Sequence, residues 1–245
     1  MSPPGVTVLA DAAAVAVRAA ELIAAGVAES ASGRGRAIVA LSGGSTPRAA
    51  YELLSTAGLR ERVPWPLVTL CWGDDRAVPH DHAASNVRLA REALIDRLPV
   101  PPGRLLLPES ADADLDAAAA RYAAQLEEAC GGGPPVLDLL LLGVGEDGHI
   151  ASLFPHSPQL GEKVRWVAAS SAAPPPHRRR LTITPPVIAA ARRVIFWAHG
   201  AGKAGAIGRA LLGDDPERTP AALAAPSRHA GALWILDRAA AGELT

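Results

Sequence analysis

The chain has 245 residues, of which 49% are hydrophobic and 20% charged, with a formal net charge of -1. That is enough material for one α/β domain with a real core, and the balanced charge leaves no basic excess to act as a nucleic-acid footprint. No apolar run approaches the ~18 residues of a membrane span, and the two cysteines, Cys71 and Cys130, offer neither a disulfide framework nor a C-x-x-C metal pair, which fits a reducing cytoplasm.

In chain order, the Ala-rich N-terminal stretch is interrupted by Asp11, Arg18 and Glu21, so it is predicted as an amphipathic helix over Asp11–Ser30 and not as a signal peptide. Arg36–Leu41 reads as a strand running into Ser42-Gly43-Gly44-Ser45-Thr46-Pro47. A helix is predicted from Pro47 to about Ser55, with Pro in its first turn where a missing N–H costs nothing. Val68–Trp72 is the next strand, with Cys71 packing as a small hydrophobe, and it ends at Gly73-Asp74-Asp75-Arg76. Ser85–Leu98 and Asp114–Cys130 are predicted helices, and a Gly-Pro link over 131–135 leads to the apolar strand at Leu137. Later strands are expected at Trp166–Ala168, Arg180–Thr184, Arg193–Trp197 and Leu233–Leu236, with helices at Pro185–Ala191 and Lys203–Leu212 between them. This alternation, with no internal repeat and no long linker, predicts a single Rossmann-like α/β domain over 1–245: a mostly parallel sheet with helices on both faces.

Chemistry concentrates where predicted strands end. After Leu137–Leu142 come Gly143-Val144-Gly145-Glu146-Asp147-Gly148-His149, one acid and one imidazole in a glycine-rich loop. Histidine is the side chain whose unperturbed pKa lies nearest neutrality, so His149 is a candidate general base; the alternative is a turn with an incidental His. Gly43, Gly44, Ser45 and Thr46 sit between a strand and a helix, where small residues and unpaired N–H groups suit a phosphate, although the same residues make an ordinary N-cap turn. The loop lacks the closing Lys of a nucleotide P-loop, and Gly200-Ala201-Gly202-Lys203-Ala204 only superficially resembles one, since Trp197 and Ala204 stand at its first-glycine and metal-binding positions. Lys203 instead reads as a point charge for a phosphate, or as a solvated lysine. Asp74 and Asp75 beside Arg76 form either a solvated turn or a pair that orients sugar hydroxyls while Arg76 grips phosphate. Of Arg178, Arg179 and Arg180, at least two are expected to be surface charges. If these loops sit at the C-terminal ends of parallel strands, they face one crevice.

Taken together, Leu41-Ser42-Gly43-Gly44-Ser45-Thr46-Pro47, Trp72-Gly73-Asp74-Asp75-Arg76 with Val78-Pro79 and Ser85-Asn86, the run Gly143–Pro155, Arg180-Leu181-Thr182, Gly200 with Lys203, and Pro220-Ala221 before Trp234-Ile235-Leu236-Asp237 resemble the 6-phosphogluconolactonase family, relatives of glucosamine-6-phosphate deaminase. One departure is Asp75, where that family usually carries Glu. The resemblance implies hydrolysis of 6-phospho-D-glucono-1,5-lactone to 6-phosphogluconate, in the oxidative pentose phosphate pathway. It further implies a water activated by His149 without covalent intermediate, cofactor or metal, with Asp147 and Asp74 in the catalytic set. Gly43, Gly44, Ser45, Thr46, Arg76, Arg180 and Lys203 are the expected phosphate-binding residues. The other histidines (His80, His82, His156, His177, His199, His229) lack metal-ligand spacing. The expected partner is a small sugar-phosphate lactone, with no nucleic acid or membrane involved, for a cytoplasmic monomer or small homo-oligomer. Two rivals are an amino-sugar phosphate deaminase or isomerase on the same fold and a sugar-phosphate-binding regulator. The deaminase pattern places a Glu soon after D-G-H-x-A, and Ser152–Ser157 contains none; a regulator would add a DNA-binding region, and no such segment is present.

Overall fold

The computed structural model describes residues 4–244, so the ends of the predicted 1–245 domain, residues 1–3 and 245, lie outside it. Seven parallel strands, numbered along the chain, form the central sheet in the spatial order β1 (Val6–Leu9), β10 (Ala232–Asp237), β9 (Val194–Ala198), β6 (Leu139–Leu142), β2 (Ala37–Leu41), β3 (Val68–Trp72) and β5 (Arg104–Leu105). From β2 the chain builds outward through β3 to β5, then crosses back to lay down β6, β9 and β10 on the other side. The strand order therefore reverses between β2 and β6, and the C-terminal end of such a reversal is where open α/β sheets form a crevice.

Strand side chains alternate between the two faces, and both faces are covered, so these strands are apolar throughout. In β6, Leu139 and Leu141 enter one core cluster while Leu140 and Leu142 enter the other. The first cluster is roofed by α1 (Ala12–Arg34), α2 (Ser45–Leu54) and α4 (Asn86–Ala93), with the short α3 (Ala57–Arg60) beside them; the second by α5 (Leu115–Cys130), α6 (Pro185–Ala190) and α7 (Ala204–Leu212). Cys71 is packed in the core as a small hydrophobe. Asp138, the one charge in the Leu137 run, is buried and accepts the Ile38 N–H at 2.8 Å while pairing with Arg34 at 2.8 Å and Arg192 at 3.4 Å. Among the described residues no helix is long and apolar enough to cross a membrane.

The sheet is mostly parallel, as expected, and two of the later strands lie outside it. The 180–184 and 166–168 segments become β8 (Arg180–Ile183) and β7 (Val167–Ser170), which pair antiparallel with each other and with β4 (Asp74–Arg76) in a separate three-stranded sheet. Gly73 is the pivot: its N–H bonds Leu41 of the main sheet at 2.9 Å and its carbonyl accepts from Ile183 at 2.8 Å. The predicted 85–98 helix is also shorter. It leaves helical geometry at Leu94, which turns into the core, and a 3-10 turn over Ile95–Arg97 follows.

Candidate active site

The loop after β2 is held at its root by Tyr51 of α2. The Tyr51 hydroxyl accepts the Ser42 N–H and donates to the Ser42 carbonyl, both at 3.0 Å. Tyr122 of α5 does the same for Trp72 at the end of β3, at 2.7 and 3.0 Å. Burial pushes both phenols well above their ordinary values, so each stays a proton-bearing clamp. Beyond Ser42, Gly43 passes so close to Asn86 that a Cβ would lie 1.7 Å from its Oδ1, which only glycine permits. Gly44 is the N-cap of α2 and no side chain caps it, so the positive end of this helix faces the cavity.

The small sheet supplies the guanidinium groups. Arg76 and Arg180 are directly paired across β4 and β8. Arg76 donates to the Ala84 carbonyl at 3.2 Å and to the Asn86 side-chain oxygen. Arg180 stands 3.8 Å from Asp74 Oδ2, with 12% and 7% of the two side chains exposed. Burial holds the Arg180 guanidinium below its ordinary pKa, opposed by Asp74 and abetted by Arg76. Asp74 itself is fixed on three sides: Oδ2 accepts from Ser152 Oγ at 2.6 Å, Oδ1 accepts from Asn86 Nδ2 at 3.2 Å, and Arg180 completes the set.

Asp75 corrects the idea of paired carboxylates. Successive residues of a strand point to opposite sides, so Asp74 lines the cavity and Asp75 turns away into the protein. Its oxygens accept from Ser85 Oγ at 2.9 Å, the Asn86 N–H at 2.7 Å and the Arg76 N–H at 2.8 Å, tying the start of α4 to β4. Burial pushes this carboxyl up, and those three hydrogen bonds pull against it. The shorter carboxylate in place of Glu thus sits in a brace and not in the cavity.

The loop after β6 presents the imidazole. His149 Nδ1 lies 2.6 Å from Asp147 Oδ1, which also accepts the His149 N–H at 3.1 Å. Burial works to raise the Asp147 carboxyl, but the hydrogen bonds and charge of His149 outweigh it and hold the group below its ordinary range. An ionised carboxylate only accepts, so Nδ1 is a protonated nitrogen, and in the neutral ring Nε2 is the one that presents a lone pair. The ring crosses Gly145 so closely that a Cβ there would be 2.1 Å from Nδ1. Its face stacks on Phe154, with centroids 4.4 Å apart and planes 28° apart.

Lys203 closes the fourth side, following β9 through a 3-10 turn over Ala201–Lys203 at the start of α7. Burial pulls its ammonium below the ordinary lysine value, with Glu146 pulling the other way. These pieces enclose a cavity of about 240 Å³ whose lining includes Gly43, Gly44, Ser45, Thr46, Asp74, Arg76, His149, Arg180 and Lys203. Of the predicted site residues only Asp147 stays off this wall, behind the imidazole. The convergence has a different origin from the one expected: three parallel-strand ends (β2, β6, β9) contribute, while Arg76 and Arg180 come from the antiparallel sheet. Arg178 and Arg179 are exposed. Sequence reasoning assigned no job to Ser42, Asn86, Ser152 or Phe154. Ser42 lines the cavity with a buried hydroxyl that has no protein partner. Asn86 and Ser152 lie inside the recognised motifs, but Ser152 meets Asp74 across 78 residues of chain, a contact no local pattern encodes. Among the described residues, no three His, Cys, Asp or Glu side chains gather as a metal-ligand set.

Among the described residues the wall carries three basic side chains against one carboxylate, so the cavity suits a small polyanion beside an imidazole. Comparison with known proteins points the same way. The family model described as glucosamine-6-phosphate isomerases/6-phosphogluconolactonase matches residues 10–234. The 6-phosphogluconolactonase of Nostoc sp. is 36% identical over 247 residues, covering 98% of each chain. The human 6-phosphogluconolactonase is 41% identical over 218 residues, covering 86% of this chain and 82% of its own. The solved structure of 6-phosphogluconolactonase from Trypanosoma cruzi is similar with a TM-score of 0.86 at 29% identity, covering 100% of this chain and 98% of that one.

Proposed function

Since the chain belongs to the glucosamine-6-phosphate isomerase/6-phosphogluconolactonase family, we propose that it hydrolyses 6-phospho-D-glucono-1,5-lactone to 6-phosphogluconate, in the oxidative pentose phosphate pathway. The observation that carries this reading is a single cavity wall bearing both an Asp147-oriented imidazole and the cluster Arg76, Arg180 and Lys203. The phosphate docks on those cations and on the Gly43–Thr46 loop at the start of α2, with charge-assisted hydrogen bonds and the helix dipole in its favour. Held there, remote from the reacting carbon, it fixes the lactone carbonyl near His149.

A lactone is an activated ester, so water suffices as nucleophile. His149 Nε2 takes a proton from water as its oxygen bonds to the carbonyl carbon. The resulting imidazolium is steadied by ionised Asp147. Collapse of the tetrahedral adduct breaks the ring C–O bond, and the imidazolium returns the proton to the departing ring oxygen, leaving the enzyme unchanged. Asp74 serves by holding Arg180 toward the phosphate. Both cysteines are free thiols, in keeping with a reducing cytoplasm as the setting.

Amino-sugar phosphate deamination is the weaker reading on the same fold. It needs a carboxylate free to move a proton at C2, and a further acid for ring opening. Asp74 is the one carboxylate on the wall, and Ser152 and Asn86 already occupy its oxygens. The deciding experiment is lactone hydrolysis corrected for the spontaneous reaction, run beside glucosamine-6-phosphate deamination. His149→Ala is expected to lower kcat by about 10²–10⁴, the usual worth of a general base, with KM within a fewfold of the parent. Unchanged turnover in that variant removes His149 from the mechanism, and deamination by the parent protein overturns the lactonase reading.

A further inference from the structure

Phe154 is 5% exposed and does not line the cavity, yet its ring meets both working halves of the site. The His149 imidazole stacks on it at 4.4 Å, and the Arg180 guanidinium stands over it 5.6 Å from the centroid, within cation–π range. The chain takes an unusual route to bring this about. Between His149 and Phe154 it folds into a tight turn closed by two backbone hydrogen bonds between Ile150 and Leu153, at 2.9 and 3.3 Å, with Ala151 at a φ of 48°. That is the left-handed region, which an alanine occupies only where its surroundings impose it. The imposing contacts are present: Ile150 and Leu153 are fully buried, and Ser152 is pinned through its hydroxyl to Asp74 at 2.6 Å and through its N–H to Thr182 at 3.1 Å. The turn returns the chain so that the Phe154 ring lies flat against the imidazole.

The geometry of His149 requires such a partner. The hydrogen bond from Nδ1 to Asp147 restrains one point of a ring that turns about two side-chain torsions, and a coupled change in both still tilts the ring plane and moves Nε2 relative to a fixed carbonyl. Gly145 allows the ring to lie close, but having no side chain it presses on no face. We propose that Phe154 is a positioning residue for the hydrolysis described above: its face sets the plane of the imidazole, and its contact with Arg180 keeps that plane in register with the anion-binding side. This rests on His149 acting as the base. A displacement of about 1 Å in a reacting group can cost up to 10²-fold in rate, so loss of the face contact is expected to appear in kcat.

The test compares Phe154→Leu, which keeps an apolar filler, with Phe154→Trp, which keeps an aromatic face. F154L is expected to lose at least about tenfold in kcat with KM changed less than about threefold, while F154W retains most of the turnover. A ring that merely fills the core predicts the opposite split: a lower Tm with parental kcat in F154L, which overturns the proposal. A second readout needs no turnover. Stacking places the His149 ring protons in the shielding region of the phenyl group, so their NMR signals, identified by their loss in H149A, are expected upfield of those of exposed histidines in the unsubstituted protein. They are expected to move back downfield in F154L and to stay shifted in F154W. Unshifted signals in the unsubstituted protein overturn the positioning role even if F154L fails to fold. If the unsubstituted protein does not hydrolyse the lactone, the proposed function fails instead, and the ring signals still decide whether the stack exists.

Discussion

Lys203 carries its charge into a partly desolvated wall, and its ammonium sits below the ordinary lysine value because burial outweighs the pull of Glu146. The sign of the linkage follows. Between the depressed folded value and the ordinary unfolded one, the unfolded chain binds the proton and the folded chain does not, so stability rises with pH across that interval. The protein thus holds a cation at some cost in stability until a phosphate compensates it. Lys203→Met is expected to remove that alkaline rise in a phosphate-free buffer and to raise Tm at neutral pH by no more than about 3 °C. The same variant is expected to raise KM for the phosphorylated lactone about tenfold or more, and to leave hydrolysis of the unphosphorylated lactone unaltered. Thermal unfolding across pH, paired with kinetics on both lactones, checks it; an equal loss on both substrates refutes a phosphate-specific role. His149 was legible from its chemistry at the end of an apolar strand in a glycine-rich loop, whereas Arg76, Arg180 and Lys203, each of which alone also reads as a solvated charge, were picked out by the motifs that resemble a known family. What the sequence hid was the fixity of Asp74, since its partners Ser152, Asn86 and Arg180 are distant along the chain.

At the level of elements, the only two tyrosines of the chain do one job from opposite faces of the sheet. Tyr51 on α2 and Tyr122 on α5 each bind both backbone groups of a single residue, Ser42 and Trp72, just before a glycine releases the chain from its strand. A buried N–H and C=O stripped of partners cost about 1–3 kcal/mol. Tyr51→Phe is therefore expected to lower the unfolding free energy by that amount and to raise KM severalfold, because the Gly43–Thr46 loop loses its anchor, while kcat stays near the parental value. Denaturant unfolding and steady-state kinetics suffice, and a Y51F protein with parental stability and KM contradicts the clamp. The long buried strands were readable from apolar runs alone. The half-exposed β1 and the two-residue β5 were not, because neither carries enough pattern to signal a strand. The triplet Asp74-Asp75-Arg76 has no strand propensity at all and is extended because β8 pairs with it.

For the whole molecule, every long central strand feeds both core clusters, so neither cluster can melt without exposing the other face of the same sheet. Asp138 ties α1, β2 and the segment before β9 together at one buried carboxylate. One cooperative transition is expected, with far-UV circular dichroism and tryptophan fluorescence coinciding and calorimetric and van't Hoff enthalpies equal. Trp72 and Trp197 report on one cluster and Trp234 on the other, so two separated transitions are readily seen if the single unit is wrong. By itself the sequence determined the α/β class and the mostly parallel sheet, because periodicity and glycine placement are local and written along the chain, and the resemblance of its motifs to a known family named the groups gathered at the rim. Only the tertiary structure decided which carboxylate faces the cavity, that two of the three cations arrive on a separate antiparallel sheet, and that an aromatic face lies under the imidazole. Those are contacts between residues far apart in the chain or turned by a strained loop, and they come into being only when the strands cross and pack.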